Sequence, residues 1–370
     1  MPFTIHHILP YPNNKPSDED ADLYEKDYPH LREYPNGKRI RISDPKPDRV
    51  YLTIPLIDEV LTEKLAAQVP MDQRCMAVSQ MLTSGAANSC IVPGTSQSAY
   101  NGAYERKLQL EIGAGALLWC ELLGGKKFGP RLLLTLNPTK LGPKGHKAIA
   151  ALLFGAEWHS KLTGEVHIVP AIFQRASFAH FAKLTQVDFA VDCTGIRPTE
   201  LLIRHSVVDA STLYCSAGGL ETIYFKNVSQ PHTKALVKAY DKTAEASQKG
   251  HDTDGWPSQV TRIEVTRKGL KETYLEDIYA LDDPFKRIRC GYAYAQGYPC
   301  YRKLDTFAAL RRLHDLPATA ERMKLSYEQS AELEWIIRKV PNPDLARPKK
   351  TFQRWEKGCK ATGIDALLPV

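Results

Sequence analysis

The 370-residue sequence has no CxxC pair among its eight cysteines, no HEXXH, no two histidines flanking one apolar residue, no GxSxG and no GxxxxGK[ST]. These absences speak against a zinc ribbon or redox dithiol, the zinc-protease helix, the serine-hydrolase elbow and the P-loop phosphate cradle. No run of 18 apolar residues occurs, so neither a spanning helix nor a membrane partner is expected. The opening MPFTIHHILPYPNNKPSDED has neither the charged start nor the apolar centre of a secretory signal. Cysteines such as Cys120, in the run LLWCELL, read as reduced buried thiols, and the expected compartment is the cytoplasm.

What is present is ordinary globular composition, 43% hydrophobic and 25% charged, over a length sufficient for two or three domains. The formal charge is +7, and residues 1–50 hold 8 Lys/Arg against 9 Asp/Glu, so the basic excess lies in the rest of the chain. A basic body suits a polyanionic partner such as DNA, although many proteins share this balance.

Texture divides the chain. Residues 1–50, rich in Pro, Asp and Lys without apolar periodicity, read as an irregular arm. Residues 51–104 read as helical because TIPLIDEVLTEKLAAQV (53–69) has apolar residues at helical spacing. GTSQSAYNG (94–102) is a loop.

Residues 105–300 form the expected α+β core. RKLQLEIGAG is extended, RLLLTLNP a strand stopped by Asn-Pro, PKGHKAIAALLFGAEW (143–158) a helix, and EVHIVPAIF, QVDFAVDCTG and QVTRIEVTRKG strands. RPTELLIRHS (197–206) reads as a helix with Thr199 at its N-cap, and the segment from STLYCS to VKAYDK as three strands. Residues 301–370 read as a small, helical, basic region. Its Arg311, Arg312, Lys349, Lys350, Arg354 and Lys357 either face solvent or hold duplex DNA.

Two acids stand out because each interrupts an apolar strand: Asp188 in VDFAVD and Glu264 in RIEV. A buried carboxylate needs a partner, and carboxylate oxygens suit Mg²⁺ or Mn²⁺; an acid on a sheet's solvent face is the plain alternative. Asp192 shares a face with Asp188 but lies about 13 Å further along an extended strand, too far for both to hold one ion. The third feature is KAYDKTAE (238–245). If Tyr240 is extended, Lys242 points to the same side and Asp241 away, with a helix starting near Thr243. A nucleophilic phenol needs a nearby cation, which Lys242 supplies; a structural tyrosine beside a surface lysine is the competing reading.

Taken in order, LTLNPTKL followed by GH, QVDFAVD, ALVKAYDKTAE and VTRIEVTRKGLK resemble the replication initiators of filamentous phages and the related rolling-circle plasmid initiators. ETIYFKN (221–227) stands where the plasmid family has a TLYFGS-like strand. The resemblance covers about residues 130–270. It implies an HUH-endonuclease-like antiparallel sheet with flanking helices, acting as a metal-dependent nicking and joining enzyme in the cytoplasm of a bacterial host. Carried over by motif, Tyr240 is the nucleophile, Lys242 and Glu245 its companions, and Asp188 and Glu264, with Asp192, candidate ligands for Mg²⁺ or Mn²⁺. Lys140, His146, Lys226, Arg262 and Lys268 are candidate DNA contacts.

Expected partners are the replication origin, single- and double-stranded, with host helicase and polymerase. The chain departs from the pattern in three places: Lys226 and Asn227 replace a Gly-Ser-Arg turn, Gln186 stands where an arginine is usual, and the His-hydrophobic-His motif is missing. Two other readings use the same features: a non-catalytic DNA-binding regulator on this fold, and an unrelated α+β enzyme without DNA affinity.

Overall fold

A computed structural model describes residues 41–86, 88–92, 104–111, 117–124, 128–159, 166–198, 201–205, 210–216, 219–226, 235–250, 259–292, 324, 326 and 354–369. The fold is α+β, with antiparallel strands packed against helices. The strands in chain order are β1 (Arg41–Ile42), β2 (Lys46–Pro55), β3 (Asn88–Val92), β4 (Tyr104–Glu111), β5 (Leu117–Leu123), β6 (Arg131–Leu136), β7 (Ala156–His159) and β8 (Val166–Val169). They continue with β9 (Lys183–Thr194), β10 (Leu201–His205), β11 (Ala210–Ser216), β12 (Gly219–Lys226), β13 (Ala235–Asp241), β14 (Val260–Lys268) and β15 (Ile288–Tyr292). Among the described residues no helix is long and apolar enough to cross a membrane.

The chain divides into two compact units. One draws its described residues from Met1–Pro45, Ala190–Thr266 and Asp282–Arg354; the other from Lys46–Phe189, Arg267–Leu281 and Trp355–Val370.

In the first unit the strand order is β11-β12-β13-β14-β9, with β1 pairing the end of β9 and β10 pairing β15. Thr222 stands opposite Tyr240 and Tyr224 opposite Lys238. Because side chains alternate, one face carries Lys238, Tyr240, Arg262 and Glu264, and the other carries the buried Val237, Ala239, Ile263 and Val265. Thr261 anchors β14 by donating to the Ile196 carbonyl at 2.7 Å.

In the second unit β2, β6, β5, β4 and β3 pair in that order, all antiparallel. Their inner face is the core: Leu52, Ile54, Leu108, Leu118, Cys120, Leu132 and Leu134 are wholly buried. Helices Arg74–Gly85, Pro138–Phe154 and Trp355–Thr362 contribute Val78, Leu82, Ile149, Leu153 and Cys359 to the buried set. Trp355 packs on Phe189, ring centres 4.8 Å apart, and its indole N–H donates to the Ile278 carbonyl at 2.7 Å. Among the described residues Cys75, Cys120, Cys193 and Cys359 are buried. Burial pushes the Cys120 thiol pKa up.

Several sequence expectations change. The helix expected over 53–69 is the end of β2, a turn and a short helix, Glu63–Gln68. Val50, Leu52 and Ile54 are buried while Tyr51 and Thr53 are not, a period of two that the apolar count in the window concealed. Arg74 stitches the turn, donating to the Leu56 carbonyl at 2.9 Å and pairing with Asp58. Residues 51–104 therefore hold strands as well as helices, and 41–50, expected irregular, contains β1 and the start of β2.

The expected helix 197–206 holds the strand β10, because its partner Ile288–Tyr292 lies far along the chain where no local pattern signals it. The helix expected over 143–158 does begin at Pro143, after a short helical turn from Pro138 that breaks at Gly142 with φ 59°, but it stops at Phe154, where Gly155 turns with φ 82° and Ala156–His159 forms β7. The 94–102 loop, Thr199 and nearly all of the 301–353 region lie outside the described residues.

Candidate active site

The strand-to-helix junction at the end of β13 builds the site. Lys238 and Tyr240 occupy alternate positions on the strand, and Asp241 then caps helix Lys242–Gln248 by accepting from the Ala244 N–H at 2.9 Å. Asp241 is thereby turned to its own helix, and Lys242 becomes the first helical residue. Its ammonium lies 5.8 Å from the Tyr240 ring centre, while that of Lys238 lies 5.1 Å away. Both are within cation–π range.

On the neighbouring β14, Glu264 is 3% exposed and Tyr240 8% exposed. The Tyr240 hydroxyl donates to Glu264 Oε2 at 3.4 Å, and Lys238 Nζ pairs with Glu264 Oε1 at 2.7 Å. A buried carboxylate thus has an ammonium on one oxygen and a phenol on the other. That arrangement can take the phenol proton while cations stand beside the ring on which charge develops.

Glu245 sets the position of Lys242. It accepts from Lys242 and from Lys249, each at 2.5 Å. Burial opposes its ionisation, but the two lysines outweigh burial and pull its pKa down to about 2. Ionised Glu245 therefore contributes stability above the ordinary carboxylate pKa near 4.5, and that contribution is lost as pH falls through about 2. Thermal melts should show Glu245→Gln less stable than the parent at pH 7 and equal to it near pH 2. A gap that persists at the lower pH would remove the ion pairs as its cause.

The other predicted residues divide. Asp192, expected at a metal, is instead held by Arg262 as a fork, Nε to Oδ1 at 2.7 Å and Nη2 to Oδ2 at 3.0 Å. Arg262, expected at DNA, is 5% exposed and committed to that pair. His146, expected at DNA, is instead wholly buried in the second unit: its Nδ1–H donates to the Gly142 carbonyl at 2.9 Å, and burial lowers its pKa. Asp188 belongs to the second unit, 5% exposed, where Gln186 Nε2 donates to its Oδ1 at 3.0 Å. Lys140 and Lys268 are exposed on the second unit. The side chain of Lys226 lies outside the described residues.

Among the described residues of the first unit the expected acids already have partners. Both Asp192 oxygens accept from Arg262, and Glu264 is taken by Lys238 and Tyr240. Among the described residues no three His, Cys, Asp or Glu side chains converge as ligands. Lys238 is the site residue that sequence reasoning misses. Its signal is the same period of two that joins Tyr240 to Lys242, extended one step back in K-A-Y-D-K.

Comparison of the chain with protein-family models and with curated proteins gave no match.

Proposed function

We propose that the chain is a rolling-circle DNA replication initiator, an HUH-like nicking and joining enzyme in which Tyr240 attacks a DNA phosphodiester. The observation that carries this reading is the Tyr240 hydroxyl on Glu264 at 3.4 Å, with Lys238 and Lys242 flanking the ring. The phenol oxygen bonds to phosphorus as its proton passes to Glu264 Oε2. The P–O3′ bond breaks, and the 3′ oxygen leaves and takes a proton from water. The products are a 5′-phosphotyrosine and a free 3′ hydroxyl.

One phosphodiester is exchanged for another, so the reverse attack reseals the strand without ATP. Lys242, held by Glu245, faces the negative charge of the incoming phosphate, and Lys238 holds Glu264 in place beside Tyr240. The expected setting is an origin that passes from duplex to single strand in the cytoplasm of a bacterial host, with host helicase and polymerase using the 3′ end. Mg²⁺ or Mn²⁺ is the ion that the resemblance assigns to this chemistry.

A randomised single-stranded DNA library tests the reading whatever the origin sequence. The protein is incubated with the library in Mg²⁺ or Mn²⁺, denatured, and covalent adducts are recovered and sequenced. Adducts joined at a 5′ phosphate and sharing a sequence are expected. Glu264→Gln should lower their rate of formation by about 10²-fold or more. No adduct with any sequence, together with retained DNA binding, would leave a non-catalytic regulator instead.

A further inference from the structure

The second unit has a sheet face that the core does not use. Tyr51, Thr135, Trp119 and Gln109 stand opposite one another in a single row across β2, β6, β5 and β4. All four point away from the face on which Leu52, Leu134, Cys120 and Leu108 are wholly buried. Trp119 is 36% exposed and its strand neighbour on the same side, Leu117, is 46% exposed. Trp119 and Leu117 together form an exposed apolar pair on this side of β5.

Each of the two rings in the row has a cation. Lys107 Nζ lies 5.5 Å from the Trp119 ring centre, held there by Glu121 at 3.2 Å. Arg49 Nη1 donates to the Tyr51 hydroxyl at 3.4 Å. The rings are two strand spacings apart, about 10 Å, with the Thr135 hydroxyl between them.

We infer that this face is a stacking platform for single-stranded DNA. Unpaired bases offer flat faces to Trp119 and Tyr51, a backbone phosphate offers its charge to Arg49, and Thr135 and Gln109 can hydrogen-bond base edges. A duplex keeps its bases stacked inside and cannot use the rings, so the platform selects unpaired strands. The inference goes beyond the reaction at Tyr240 and does not depend on it.

The test is fluorescence anisotropy with a labelled oligo(dT) of about 15 nucleotides and a duplex of matching length, using the full chain. Trp119→Ala and Tyr51→Ala should each weaken oligo(dT) binding about tenfold, Trp119→Phe by no more than about threefold, and none should change duplex binding comparably. Circular dichroism should be unaltered, since Trp119 lies outside the core. Affinity within about twofold of the parent in both alanine variants, or an equal loss for duplex, would overturn the platform. The adduct assay on the same samples separates the two ideas. Adducts with insensitive binding sink the platform alone; sensitive binding with no adduct from any library sequence sinks the nicking reading alone.

Discussion

Tyr240→Phe is expected to abolish the covalent protein–DNA adduct, at least about 10⁴-fold below the parent, while DNA affinity stays within about twofold. The substitution removes one oxygen. The ring keeps the Lys238 and Lys242 ammonium groups at 5.1 and 5.8 Å from its centre, and the strand pairing opposite Thr222 is untouched. What is lost is the oxygen proposed as the nucleophile and its hydrogen bond to Glu264, which costs about 1 kcal/mol of stability. The result is read on a denaturing gel, where nucleic acid shifts with the protein only when covalently attached. Should the Phe variant still form the adduct, Tyr240 is not the nucleophile. Tyr224, opposite Lys238 on β12, is then the next candidate, followed by Tyr214.

The Tyr240 neighbourhood is legible in the sequence because it obeys a local rule. ALVKAYDK is β13, and the helix expected near Thr243 begins at Lys242. Alternation along an extended strand is enough to place Tyr240 and Lys242 together, with Asp241 turned away. Equally legible are RLLLTL, QVDFAVDCT and VTRIEVTRK, each a strand bounded by a breaker or a change of texture.

The partners of the acids are not legible. Nothing local in VDFAVD tells that Asp192 meets Arg262, 70 residues further on. The pairing belongs to the order β14-β9, which local periodicity does not contain. For the same reason β10 reads as a helix, since its apolar residues suit either form until Ile288–Tyr292 supplies the second strand. His146 misleads by a different route. A histidine between two lysines looks like a phosphate contact, yet the helix turns it inward against the Gly142 carbonyl and leaves Lys147 at the surface side.

The Arg262–Asp192 pair yields the second large effect, one on folding rather than on chemistry. Arg262→Ala should lower unfolding stability by about 3 kcal/mol, measured by denaturant unfolding at neutral pH. Asp192 keeps only 17% of its side chain exposed and the guanidinium 6%, so removing the fork strands a carboxylate that solvent reaches poorly. Replacing both, Asp192→Asn with Arg262→Met, should recover much of the loss, because the cost of the single change is mostly the deserted charge and not the attraction itself. A DNA-contact role for Arg262 makes the opposite forecast: near-parental stability in Arg262→Ala, weaker DNA binding, and no recovery in the double variant. The geometry favours the structural forecast, since an arginine with Nε and Nη2 on one carboxylate has its planar fork committed. If it holds, β14 carries two acid–base pairs of different use on one face: Arg262 with Asp192 fixing the strand in the first unit, and Glu264 with Lys238 holding the carboxylate that meets Tyr240.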